Sequence, residues 1–262
     1  MEIIYTILGM LLAGSFLLLY MYRQAFKNTV LKQEIRLKDF PASFGSVRIF
    51  FISDIHKRIV SDSIIEEVKG QTDLVIIGGD LAEKGVPLER VSANIEKLKT
   101  IAPVFFVWGN NDYEFNSHEL DSLLYHSGIK VLDNTAVKFE SAAGDVLYLL
   151  GIDDFGLGKS RLDLAVLDAE EEGFRILVSH NPAIASSLKP EFDISLVLCG
   201  HTHGGQIRIF GFGPYELGGI KEKNGTTILT SNGYGTTGVP FRLGARAETH
   251  LITLAPDLGQ AD

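Results

Sequence analysis

Five apolar runs in this sequence end in side chains that can hold a metal ion. VRIFFIS (47–53) leads into Asp54 and His56, DLVIIGG (73–79) into Asp80, and PVFFVWG (103–109) into Asn110. FRILVS (174–179) leads into His180, and DISLVLCG (193–200) into His201 and His203. Singly, each has an ordinary explanation: an aspartate after Gly-Gly is usually a helix cap, and a histidine ending a strand is usually a hydrogen-bonded surface group. Jointly, the same placement repeats at every run. Open α/β sheets bind ligands in the crevice beyond the carboxyl ends of their strands, so strands sharing that edge would bring these seven side chains together. The set mixes imidazole, carboxylate and amide donors without a thiolate, which suits Mn²⁺, Fe or Zn²⁺. Seven ligands hold two cations if one carboxylate bridges. Two cations roughly 3.5–4 Å apart clamp a phosphate and generate hydroxide near neutral pH.

The third run raises a question of its own. FVWGNNDYEF (106–115) delivers two amides, Asn110 and Asn111, and the carboxylate of Asp112 to one tip. An amide binds a cation or donates an N–H to a phosphate oxygen, but it does not protonate a leaving group. Asp112 either orients the Asn111 amide or caps the next turn.

The segments between these runs supply the frame. Helical patterns cover 61–70, 87–100, 117–128 and 160–172; Pro87 stands at a favoured helix start, and Ser117 and Gly128 bracket the third. Further strands are expected at 30–37, 136–140, 146–152, 206–210, 226–230 and 249–254. Near-continuous apolar strands alternating with helices indicate buried sheets covered by helices, an α/β architecture. One catalytic domain is expected over 45–255, after a juxtamembrane segment and first strand at 23–44.

At the other end of the chain, residues 3–22 carry no charge, and a helix of that length spans roughly the 30 Å hydrocarbon core of a bilayer. Tyr5, Tyr20 and Tyr22 flank it as interfacial aromatics do, and Arg23, Lys27, Lys32, Arg36 and Lys38 follow. The positive-inside rule then places the rest of the chain in the cytoplasm. A cleaved signal peptide needs a basic start and a small-residue cleavage site; Glu2 and the bulky Tyr20-Met21-Tyr22 supply neither. A net charge of −9 argues against a broad nucleic-acid surface. The single cysteine, Cys199, excludes a disulfide within the chain. Oligomeric state is not legible.

SDIH (53–56), GGD (78–80), GNND (109–112), SH (179–180) and GHTH (200–203) resemble the five motifs of the calcineurin-like metallophosphoesterases. GHTHGGQI (200–207), GIDD (151–154) and SNGYGTTGVPFRLG (231–244) are similar to the membrane-associated bacterial branch of YkuE and YpbG type. The resemblance implies a β-sandwich flanked by helices, here preceded by one transmembrane helix. It implies two divalent metal ions. One would be held by Asp54, His56, Asp80 and His203, the other by Asp80, Asn110, His180 and His201, with Asp80 bridging. A metal-bridging hydroxide would attack a phosphate ester or pyrophosphate. Asp153 and Asp154 would support the ligating histidines or shape a turn, and Tyr234 and Arg242 would touch substrate. In that family the position of Asn111 normally holds a histidine, which touches a phosphate oxygen and helps protonate the leaving group. The departure points to a substrate whose leaving group needs little protonation, or to another acid such as His126. A lipid-linked phosphate fits the anchor. Soluble nucleotides are the alternative, and a non-catalytic scaffold is a third reading.

Overall fold

Alternation along the apolar runs sorts their side chains between two faces, and that sorting builds the architecture. A computed structural model describes residues 1–257. The chain runs α1 (Glu2–Ala25), β1 (Val30–Leu37), β2 (Val47–Ile52), α2 (Asp62–Val68), β3 (Leu74–Ile77), α3 (Leu88–Lys99), β4 (Val104–Phe106), α4 (Asn110–Glu114) and α5 (Ser117–His126). It continues through β5 (Lys130–Val131), β6 (Thr135–Glu140), β7 (Val146–Gly151), α6 (Leu162–Asp168), β8 (Phe174–Val178), β9 (Leu196–Cys199), β10 (Gly219–Lys223), β11 (Thr226–Thr230) and β12 (Thr249–Pro256).

The strands form two six-stranded sheets, ordered β1-β12-β2-β3-β4-β5 and β10-β11-β9-β8-β7-β6. Ile49, Phe51, Ile76 and Phe105 of the first sheet pack against Leu147, Leu149, Ile176 and Leu198 of the second. Their neighbours Phe50, Ile52, Val75, Ile77 and Phe106 point the other way, onto Ile64 of α2, Ile95 of α3 and Leu124 of α5. On the outer face of the second sheet, Tyr148, Leu150, Leu177 and Val197 meet Leu162 and Ala165 of α6. Each side chain so buried contributes roughly 1.5–3 kcal/mol, so the sandwich holds the strand ends firmly. Strands β2, β3 and β4 run parallel, as do β7, β8, β9 and β11, and their carboxyl ends carry the site.

The tail departs from expectation. Residues 206–210 form no strand. Phe210 and Gly211 both take positive φ, 51° and 85°, and Ile209 exchanges two backbone hydrogen bonds with Phe212. This is a two-residue hairpin, a turn that favours left-handed residues. A strand not expected from the sequence, β10, follows and pairs antiparallel to β11. The helix expected over 160–172 is confined to α6, and the short α4 and β5 had no distinct signal. Upstream of residue 45, β1 pairs in parallel with β12. The N-terminal helix is longer than the apolar stretch, and of its residues only Met21 and Ala25 are buried.

Two buried arginines join α1 to the domain. Arg58, two residues beyond His56, donates to the carbonyls of Ala25, Phe26 and Lys27, thereby capping the helix end. Its guanidinium also lies 3.6 Å from the centre of the Tyr234 ring. The second joint is the backbone N–H of Arg242, which donates to Met21 O at 3.1 Å.

Candidate metal centre

Left-handed backbone aims the key side chains. Asp54, His56, Asp80, His201 and His203 all have φ between 50° and 72°. Non-glycine residues enter that region at a cost of about 1–2 kcal/mol each. Five such residues on three loop tips put strain where chemistry is expected.

Close packing between these loops requires glycine at two of the tips. A Cβ on Gly109 would lie 2.3 Å from Asp80 Oδ1, and one on Gly233 would lie 2.7 Å from the Asp54 Cβ. The loops therefore touch backbone to side chain around the two aspartates.

All seven expected ligands lie around one pit. His203 Nε2 is 3.4 Å from Asp54 Oδ1, His180 Nε2 is 3.2 Å from Asp80 Oδ2, and His56 Nε2 is 3.7 Å from the same oxygen. The Nε2 atoms of His56 and His203 face each other at 3.1 Å, and His201 Nδ1 sits 3.2 Å from His180 Nε2. Donor atoms of Asp54, His56 and His203 fall within 4.8 Å of one another, as do those of Asp54, Asp80 and His180. Asn110 Oδ1 is buried without a hydrogen-bond partner. Facing imidazole nitrogens and an unpartnered amide oxygen are costly in a closed core and are what a cation-binding pocket presents. The donors fit two metal ions.

The surrounding groups set the charge state of the site. Burial works against charging His180, but the Asp80 carboxylate outweighs it and carries the imidazole pKa up to about 10. Burial likewise favours protonation of Asp80, and His180 beside it holds the carboxyl well below its ordinary range. Burial, with the charges of His56 and Arg242, pushes His203 down to about 3 and keeps it neutral, as a ligand must be. Burial also lowers His201. Burial opposes charge on His56 too, but Glu83 Oε2, 2.9 Å from its Nδ1, raises it.

The Nδ1 atoms of three of the four ligating rings are also engaged. His180 Nδ1 meets Gly78 O at 2.9 Å, His203 Nδ1 lies 3.0 Å from Arg242, and His56 Nδ1 meets Glu83. Gly78 O and Glu83 can accept an Nδ1–H, the contact that orients a metal-binding imidazole, whereas Arg242 donates to His203 Nδ1. Asp153 and Asp154 make other contacts: Asp153 accepts the Tyr113 hydroxyl, and Asp154 accepts the Leu157 amide. Glu83 went unnoticed in the sequence, where LAEKG carries no distinguishing pattern.

Tyr234 and Arg242 take a different place from the expected substrate contact. Both are fully buried. Arg242 donates to the carbonyls of Asn232, Gly233, Gly235 and Ala245, and the Tyr234 hydroxyl bonds Asn28 and Ile59 O. Asp112 leaves the Asn111 amide alone. Its carboxylate accepts the backbone N–H groups of Asp80, Ala82 and Gly109, tying the β3 and β4 loops together, and burial beside Asp80 raises it to about 7. Asn111 itself donates to Asp80 through both its backbone N–H and its amide, at 2.8 and 2.7 Å.

The pit opens into a cleft of about 580 Å³. Asp80, Asn110, Asn111, His201 and His203 line its inner end, and Ile207, Pro214 and Tyr215 form an outer wall. His126 is not among the lining residues; it lies on α5 with Nδ1 against Ser122 O.

The model of the calcineurin-like phosphoesterase family matches residues 47–205. The chain belongs to that family. Membership makes it a metal-dependent phosphoester hydrolase. It is 47% identical over 208 residues to the uncharacterized protein YpbG of Bacillus subtilis, covering 79% of this chain and 80% of that one. It is 30% identical over 276 residues to a zebrafish transmembrane protein with a metallophosphoesterase domain, covering 95% of this chain and 62% of the relative's length. Phosphodiesterase YaeI of Escherichia coli is 28% identical over 84% of this chain and 86% of its own. A 5′-nucleotidase precursor from Thermus thermophilus shares the fold, with a TM-score of 0.51 at 10% identity over 80% of this chain and 54% of that one.

Proposed function

We propose that this chain is a membrane-anchored phosphoesterase that hydrolyses a phosphate ester or pyrophosphate bond with a good leaving group, on a lipid-linked substrate at the cytoplasmic leaflet. Asp54, His56, Asp80 and His203 would hold one cation, and Asp80, Asn110, His180 and His201 the other. When bound, the pair supplies Lewis acidity and an activated water. The protein's own part is positional. Asp112 fixes the loops that carry Asp80 and Asn110 in register. Asn111 sits at the cleft floor with an amide N–H that can turn from Asp80 to a phosphoryl oxygen. Glu83, Gly78 O and Arg242 hold the three rings in place.

The observation that carries the leaving-group reading is the amide at position 111. General acid help is worth about 10²–10⁴-fold, and Asn111 supplies none. The lipid reading rests on Arg242: its backbone bonds the last turns of α1 while its side chain packs on His203. The apolar helix therefore ends beside the pit, and the charges after it favour the cytoplasmic side.

The test compares hydrolysis of methyl p-nitrophenyl phosphate with that of a dialkyl phosphate by the Mn²⁺-loaded protein. Wild type should cleave the aryl ester far faster, and Asn111→His should narrow the gap. Comparable cleavage of both by wild type overturns the leaving-group reading. Glu114 and Tyr215, the ionisable side chains of the lining outside the ligand set, are the positions to replace in that event.

A further inference from the structure

The hairpin that replaced the expected strand has unusual chemistry. Residues 209–215, IFGFGPY, carry no charge. Phe210 is 97% exposed and Phe212 82%, with Ile209, Tyr215 and Leu217 also outward. A soluble surface rarely presents such a cluster without a partner. Nor is the segment loose. The Arg208 guanidinium turns inward and donates to the carbonyls of Gly204, Gly211 and Tyr215. The apolar tip is held out by this half-exposed clamp.

Its base is shared with the anchor. Arg208 N donates to Leu243 O at 2.7 Å, and Leu243 N to Gln206 O at 2.9 Å. The adjacent residue, Arg242, bonds Met21 O of α1. The strip 242–243 thus carries the end of the apolar helix on one residue and the foot of the apolar hairpin on the next. The same hairpin supplies the cleft wall through Ile207, Pro214 and Tyr215.

We propose that the hairpin tip, centred on Phe210 and Phe212, inserts into the membrane surface as a second contact beside α1. It would seat the cleft on the bilayer so that a lipid-linked phosphate enters along the apolar wall. Aromatic residues with a polar backbone suit that interface. The inference rests on the anchored reading of the chain and deepens it.

The full chain is reconstituted in phosphatidylglycerol–phosphatidylethanolamine vesicles after Phe210→Cys or Ala143→Cys is labelled with an environment-sensitive dye. Cys199 is buried and stays unlabelled. Ala143 lies in the β6–β7 turn, at the end of the sandwich away from the site, and is the aqueous control. The expected result is quenching of the Phe210 label by nitroxide lipids and shielding from iodide, with the reverse at Ala143. An iodide-accessible Phe210 label on membrane-retained protein overturns the inference and leaves the anchor intact. Shielding without nitroxide quenching assigns the patch to a protein contact, such as a second copy, and also overturns it. Protein that washes off the vesicles with carbonate overturns the anchor reading itself, and the inference with it. A second arm reads activity. Phe210→Ser/Phe212→Ser should slow hydrolysis of hexadecyl p-nitrophenyl phosphate in bilayers about tenfold or more, the equivalent of one lost aromatic insertion. It should leave methyl p-nitrophenyl phosphate in solution unchanged. Equal effects on both esters, or none on either, count against the seat.

Discussion

Two buried polar clusters meet at His203, and they are satisfied to very different degrees. On one side, His56, His180, His201 and His203 turn nitrogens toward one another and toward Asp54 and Asp80, and Asn110 Oδ1 has no partner. On the other, Arg242 and Arg58 find carbonyl acceptors on α1 and the tail. A cluster that serves only the fold closes its hydrogen bonds internally, because an unmet buried group costs about 1–3 kcal/mol. A cluster that awaits a ligand keeps its lone pairs aimed at a shared point. The contrast separates residues for chemistry from residues for architecture more sharply than motif membership does, since both kinds lie within motifs.

Substitutions can break that contrast or sharpen it. The largest effect is expected from Asp80→Ala. It should strip bound metal, read by elemental analysis, and lower hydrolysis about 10³-fold or more, several kcal/mol of transition-state stabilisation, while the protein remains folded by circular dichroism. Arg242→Met should do the opposite, lowering unfolding free energy in urea by about 3 kcal/mol as several carbonyls lose their donor. If it abolishes turnover at unchanged stability, Arg242 belongs with the chemistry after all. Asn111→His should raise hydrolysis of alkyl esters about 10²-fold relative to aryl esters. Asp112→Asn, which sets an amide N–H₂ against a backbone donor, should cost about 1–2 kcal/mol of stability and weaken metal retention.

The smallest effect is a pH dependence away from the pit. His250 is buried against Ser231 and Gln33, with Glu248 3.6 Å away, and burial depresses it to about 4. The unfolded chain binds the extra proton between the unfolded value near 6.5 and about 4. The stabilisation is thus complete above 6.5 and falls away as pH drops through that window. Its loss should be about 1 kcal/mol between pH 6.5 and 5.5, and His250→Gln should remove that slope from urea titrations.

The sequence revealed the strand ends because buried parallel strands are continuous apolar runs, so the polar residue that follows stands out. Asp54, Asp80 and His180 were conspicuous for that reason. Glu83 was not, since a carboxylate in a solvent-like LAEKG context looks like any surface acid until the chain brings it to His56. Arg242 and Tyr234 were visible as motif residues but not as buried ones, because an arginine saturated by backbone carbonyls leaves no periodic signature. The hairpin at 209–212 mimicked a strand through alternating isoleucines. The positive φ of Gly211 and of Phe210, which a phenylalanine gives no hint of adopting, turned it back on itself.

The tie made by Asp112 has an evolutionary consequence. Residue 111 reaches Asp80 through its backbone N–H, which every amino acid except proline retains, and the two loops are clasped by the neighbouring carboxylate. Exchange of the side chain at 111 gives up its amide bond to Asp80 but leaves the backbone tie and the clasp between the loops in place. A lineage could trade a proton donor for an amide there, and back again, changing which esters it cleaves while inheriting the same scaffold.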